Sequence, residues 1–452
     1  MTLRKRRQIF YLLVVLFFVL GTAIVLYAQG WRLNVETWSM SKVGGIFIRS
    51  LPDDAQITLD GKPIKNKSAF LSRGTLISEL FPKTYWIELK EAGYDPWRES
   101  VTVSPSLVTE FKYSVLVPQN ATTVAAGLVQ SFSAANGVLV IQNLDGSVVS
   151  GKKLIGKGTL IDENSDENAL IIKNQTNGRY VLYQFQNGST TDLTAILAKG
   201  GADTSGISNI FFDPRDPRII IAAGSHQMWF IDTAAMSAEG GSASDGKSML
   251  AEATPIGETY GKAVAVGSLL IAWTESKKSG VSSTIEIYDK SSEEVTASSS
   301  IPGKNNELKW IKDNLLGILQ NDGELYLYDV GGQSIKKIAD DVKDFATTEN
   351  GSSIAALENK SMEIIPTTGV SDDYYRFNLP DIANAQRIAW YKDNMHLFIE
   401  YGDRVSFLDL KDAGLNNFTT VAVGTAPFYD ADKNALYIIN PAQNLIRFDF
   451  PE

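Results

Sequence analysis

The sequence predicts an all-β protein behind a single membrane-spanning helix, with a small β-sandwich followed by a β-propeller. Three observations predict it. Ile9 to Ala28 is a 20-residue run without a charge, set directly after Arg4, Lys5, Arg6 and Arg7. From Gly45 the apolar residues alternate with polar ones at the period of a half-buried strand. From about Thr123, short apolar strands recur eight times, about 43 residues apart, which is the period of propeller blades.

At about 1.5 Å rise per residue, the run 9–28 makes a helix of roughly 30 Å, the thickness of a bilayer's hydrocarbon core. Basic residues stay on the cytoplasmic side, so 1–8 is expected to be a cytoplasmic stub with everything after Ala28 outside. A cleaved signal peptide would carry a shorter apolar region and an A-x-A-like site. Here the run ends Leu26-Tyr27-Ala28, with a bulky residue where a small one is wanted. Residues 29–44 read as a membrane-proximal spacer, with Trp31 and Trp38 suited to the interface.

The alternation then starts. Ile46, Ile48 and Ser50 point one way and Phe47, Arg49 and Leu51 the other. Pro52-Asp53-Asp54 forms a turn, Gln56 to Leu59 a strand, and Asp60-Gly61 a hairpin signal, because glycine accepts positive φ without penalty. Tyr85 to Leu89, Glu99 to Val103 and Val108 to Val117 follow as strands.

The landmarks Ile46-Phe-Ile-Arg-Ser-Leu-Pro52, Ala55, Asp60-Gly61, Leu80-Phe-Pro82 and Gly93-Tyr94-Asp-Pro-Trp97 resemble the PEGA domain over residues 45–117. The chain departs from that pattern at turn positions, reading Pro52-Asp53-Asp54-Ala55, Ser68-Ala69 and Lys83. The resemblance implies a small β-sandwich acting as a spacer or adhesion module, with no catalytic residues. Tyr94 and Trp97 could stack on a sugar; burial in a small core is the commoner use of such rings.

After a linker at 118–125, residues 126–452 hold the repeat. Its apolar strands are Val138–Ile141, Leu170–Ile172, Ile219–Ala222, Leu269–Ala272, Leu315–Ile318, Ile354–Leu357, Leu397–Ile399 and Leu436–Ile439. A strand sandwiched between neighbouring blades is buried on both faces and so reads as a continuous apolar run. Aromatic-rich partners follow, among them Met228–Asp232, Leu325–Asp329 and Val405–Asp409. Eight blades are expected, with seven, or two stacked sandwiches, as alternatives. No helix of useful length is expected in the series. Leu160–Ala169 and Phe211–Arg218 resemble the first hairpin of WD-repeat-like and Tol-system periplasmic propellers. Thr233–Ser248, Glu275–Ser283 and Ser291–Ser300 are rich in small polar residues and read as surface insertions.

Composition excludes several functions. The chain's 452 residues are too many for one ordinary core. Its net charge of −10, less the four N-terminal cations, leaves −14 for the rest. That opposes nucleic-acid binding, which needs a basic patch. Without cysteine there is no disulfide, no thiolate nucleophile and no Cys-ligated zinc.

No motif passes its contextual test. Gly241-Ser-Ala-Ser-Asp-Gly-Lys-Ser248 matches a phosphate-loop pattern, but no buried strand precedes it and Pro255 leaves no room for a helix, so no nucleotide is expected. Asp162, Asn164, Asp166 and Asn168 alternate like a calcium loop but lack its sixth-position glycine. His226 and His396 are the only histidines and form no metal pair. The expected catalytic, cofactor and metal residues are therefore none. The expected partners are the bilayer through 9–28, and an envelope protein or glycan through the propeller loops. The expected role is a non-catalytic adhesion or scaffold function on a cell membrane. The rivals are a carbohydrate-active hydrolase or lyase using carboxylates in the propeller channel, and a purely structural spacer.

Overall fold

The computed structural model describes residues 3–34, 38–66, 74–133, 139–164, 169–214, 216, 218–224, 228–233, 264–267, 269–276, 282–292, 294–303, 305–367, 375–411 and 417–452. Ser68-Ala69, Asp166, Asn168, His226 and the segment 241–248 lie outside these residues. The chain divides into two compact units. One is Met1–Ala121 with Phe407–Val421 and Phe448–Glu452; the other is Thr122–Ser406 with Ala422–Arg447.

The first unit opens with helix α1, Leu3–Ala28. Its stretch Arg6–Ala28 is long and apolar enough to cross a membrane, and none of the residues in its most apolar window is buried by the protein. Gly30, at φ +86°, turns the chain out of the helix, a conformation only glycine adopts freely. Residues 29–44, expected to be a plain spacer, instead contain a hairpin of β1 (Trp31–Asn34) and β2 (Ser39–Lys42), which pairs Trp31 with Lys42 and Leu33 with Met40.

Two small sheets follow. One is ordered β6 (Thr75–Leu80), β3 (Gly44–Leu51), β9 (Val108–Val115); the other is β5 (Lys62–Ile64), β4 (Gln56–Leu59), β7 (Thr84–Lys90), β8 (Trp97–Thr102). The alternation read from the sequence is the burial pattern of β3: Ile46, Ile48 and Ser50 are buried, while Phe47, Arg49 and Leu51 are half-buried. Asp60 and Gly61, both at positive φ, make the turn between β4 and β5. Ile46, Ile48, Ile57, Ile87, Leu89 and Trp97 form the shared core. Trp97 is buried edge-to-face on Phe111, and Tyr94 packs on the same core. These two rings fill the interior and do not form a sugar platform. Asn417 belongs to this unit as well: its side chain accepts from the Arg98 N–H and donates to the Arg98 carbonyl, both at 2.8 Å.

The second unit is a β-propeller. Its sheets are antiparallel meanders taken in sequence order, such as Asn305–Lys312, Leu315–Gln320, Leu325–Asp329 and Ser334–Ala339. The second strand of each is the apolar run seen in the sequence. In Ile354–Glu358, Ile354, Ala355, Ala356 and Leu357 have no exposed surface. First strands of successive sheets lie side by side, as Val342–Thr347 does with Ala385–Trp390. Strand β10 (Thr122–Ala125) joins the far edge of the final sheet by pairing with Leu445–Asp449, so the end of the chain is completed by the beginning of the repeat. A short helix, α2 (Leu193–Lys199), interrupts the series; Asp192 caps it by accepting from the Ala195 N–H, and Leu193 and Leu197 are buried.

Candidate functional site

The first strands carry a recurring irregularity. Register shifts fall between Leu160 and Asp162, Ile207 and Asn209, Asn305 and Glu307, Val342 and Asp344, Ala385 and Arg387, and Thr425 and Phe428. A bulge inserts one residue and re-aims the next side chain. The residues just after these bulges include Glu307, Asp344 and Arg387, and all three line one pocket of about 380 Å³. Lys309, Ile388, Ala389, Phe398, Glu400 and Pro427 complete its walls.

Three carboxylates and two cations thus converge from consecutive sheets, over an apolar floor that includes the buried Phe398. Lys309 Nζ lies 2.7 Å from Glu307 Oε1 and 3.6 Å from Asp344 Oδ1, and donates to the Phe345 carbonyl at 2.9 Å. Asp344 Oδ2 accepts from the Ile388 N–H at 2.9 Å. Burial pushes the Asp344 carboxyl above its usual range, against the opposing pull of Lys309 and that N–H. Glu400 is buried; its Oε1 accepts from the Ala426 N–H at 3.0 Å. Its Oε2 has no hydrogen-bond partner among the described residues and faces the exposed Arg387 at 4.0 Å. A carboxyl raised by burial and an incompletely satisfied carboxylate lining one pocket are the arrangement that acid–base chemistry uses.

The sequence-level candidates lie elsewhere. Asp162 binds backbone: its carboxylate accepts from the Phe212 N–H at 2.8 Å and the Glu163 N–H at 3.0 Å, tying one sheet to the next. Burial raises its carboxyl too. His396 is fully buried, with Nδ1 2.8 Å from Asp393 Oδ2, and serves the core. None of Glu307, Asp344, Arg387 or Glu400 stood out in the sequence, because register, not a motif, gathers them. The usable signal is faint: Glu307, Asp344 and Arg387 lie eight to ten positions before an apolar strand, and Glu400 directly after one.

No family model and no curated protein matches the sequence. Solved structures do resemble it. Oligogalacturonate lyase from Vibrio parahaemolyticus is 11% identical, with a TM-score of 0.45 over 73% of this chain and 99% of that one. Hsv2 of Kluyveromyces lactis is 9% identical, at 0.43 over 72% and 98%. The β-propeller domain of Cps50 (Swd1) from Myceliophteria thermophila is 12% identical, at 0.39 over 62% and 96%. The expectation of a non-catalytic binding role is corrected by the first of these, a carbohydrate-active enzyme among the structures similar to this chain. At such identity the likeness itself assigns no activity.

Proposed function

We propose that the second unit cleaves a glycosidic bond in the pocket between its first strands. Asp344, whose carboxyl burial raises above its usual range, donates a proton to the leaving oxygen as the C–O bond breaks. Glu400, through Oε2, takes the balancing proton, from the attacking water in hydrolysis or, in elimination, from the carbon beside a uronate carboxyl as the C=C bond forms. Lys309 and Arg387 hold an anionic group of the substrate, and Phe398 and Pro427 face its apolar side. The observation that carries this reading is the convergence of a half-buried, raised carboxyl and an unsatisfied carboxylate oxygen on one open pocket.

In the same reading the propeller has eight blades. The long strand Lys153–Asn164 supports this, since its first half pairs with Ser147–Ser150 and its second with Ala169–Asn174, which divides the seven-stranded sheet into two blades. The small sandwich is a PEGA-like stalk, and α1 anchors the chain in a cell membrane with its basic end in the cytoplasm.

The test is turnover. Full-length protein in detergent is incubated with neutral and uronate oligosaccharides, and new reducing ends and unsaturated ends are measured. Asp344→Asn and Glu400→Gln should each lower the rate by about 10²-fold or more, the usual share of a general acid or base. Wild-type protein that cleaves nothing in the panel refutes the proposal.

A further inference from the structure

The hairpin β1–β2 is fastened to the end of α1, not strung from it. Gly30 N–H donates to the Tyr27 carbonyl, and Val43 N–H to the Gly30 carbonyl. Arg32 lies over the Tyr27 ring at 3.6 Å and donates to the Tyr27 carbonyl at 2.8 Å. Its other guanidinium nitrogen pairs with Glu79 of β6 at 2.7 Å. The hairpin therefore holds a fixed pose against the helix.

That pose creates an apolar groove of about 590 Å³. Phe18, Val19, Thr22, Ala23, Leu26 and Tyr27 form its helical wall. Trp31, Arg32, Leu33 and Met40 form the facing wall. The hairpin's own surface is apolar where water would favour polar groups: Leu33 is 52% exposed, Met40 49% and Trp38 81%.

We propose that this groove holds an acyl chain of a lipid in the leaflet at the C-terminal end of α1, with the hairpin seated at headgroup depth. The proposal rests on reading α1 as membrane-embedded. The groove is continuous with the membrane-length stretch Arg6–Ala28, which supplies one whole wall. Phe18 to Tyr27 rises about 14 Å, close to half of a roughly 30 Å hydrocarbon core, so the groove has the height of one leaflet. A two-stranded hairpin has unpaired edges, and unpaired backbone groups are costly in hydrocarbon. Its strands therefore stay among headgroups while Leu33 and Met40, which line the groove, reach down and the exposed Trp38 indole seats at the interface. Lys42, 5.8 Å from the Trp31 ring, sits on the same hairpin and suits a lipid phosphate, while Arg32 is taken up by Tyr27 and Glu79.

The chain has no cysteine, so single cysteines report without background. Phe17→Cys, Trp38→Cys, Met40→Cys and, on the sandwich surface, Glu110→Cys are spin-labelled in the full chain and placed in phospholipid vesicles. Relaxation by oxygen, which partitions into lipid, is compared with relaxation by a water-soluble nickel chelate. Labels at 17, 38 and 40 should favour oxygen severalfold, and the label at 110 the chelate. If 17 favours oxygen while 38 and 40 match 110, the helix is embedded and the lipid groove is refuted. If 17 also favours the chelate, the membrane reading falls with it.

Discussion

Asp344 and Asp162 carry the same chemistry in two settings. Both sit just after a first-strand bulge, both accept a backbone N–H from the neighbouring sheet, and burial raises both carboxyls. Only Asp344 opens onto the pocket. A carboxyl whose folded value lies above its unfolded one contributes stability that is full below the unfolded value, near pH ~4, and is lost as pH rises through the folded value. Both residues therefore favour folding at acid pH. If Asp344 is the proton donor, the rate falls on the alkaline side as its raised carboxyl ionises. The pH–rate profile of the wild type should show that limb, and Asp162→Asn should leave it in place. Asp162→Ala should instead cost about 1–3 kcal/mol of stability, because it strands the Phe212 and Glu163 amides. Denaturant unfolding checks this, and an unchanged midpoint would remove the latch role.

At the scale of the strand, the second strands were legible and the first were not. Ile354–Leu357 and Leu397–Ile399 are buried on both faces, so they read as unbroken apolar runs. A bulge leaves no such trace: it is set by pairing with the next strand, and any side chain can follow it. For the same reason α2 was missed, being one capped turn or two whose seven residues are too few for a helical period. Residues 29–44 read as spacer in the sequence because Leu33 of β1, Met40 of β2 and Trp38, the turn residue before β2, are exposed. Packing between strands can be tested at Gly317. A Cβ there would come 2.7 Å from the Phe345 ring, which is fully buried and has nowhere to move. Gly317→Ala should destabilise by about 1–3 kcal/mol. The first strands are also stapled by indoles: Trp310 Nε1 donates to the Ala265 carbonyl and Trp390 Nε1 to the Ala346 carbonyl, each at 3.1 Å. Trp390→Phe keeps most of the ring and loses that bond, so it should cost about 1 kcal/mol.

Across the whole molecule, the repeat was legible from spacing but its closure was not. The period places each sheet beside the next; it does not say what pairs with the last one. The structure gives that part to β10, which the sequence had assigned to a linker. Thr122 pairs with Arg447 and Thr123 with Ile446, so residues more than three hundred positions apart share one sheet edge. Without β10, the strand Leu445–Asp449 would present an open edge, the kind of surface that pairs with another chain. Replacing both Thr122 and Thr123 with proline removes their N–H donors and tests this within the full chain. Each ladder bond lost costs about 1 kcal/mol. The variant should unfold at lower denaturant and should self-associate in light scattering when warmed. The sandwich core, built from Ile46, Ile57, Ile87 and Trp97, lacks any residue of that edge and should keep its own transition. A variant as stable and as monomeric as the wild type would mean that the final sheet holds without its borrowed strand.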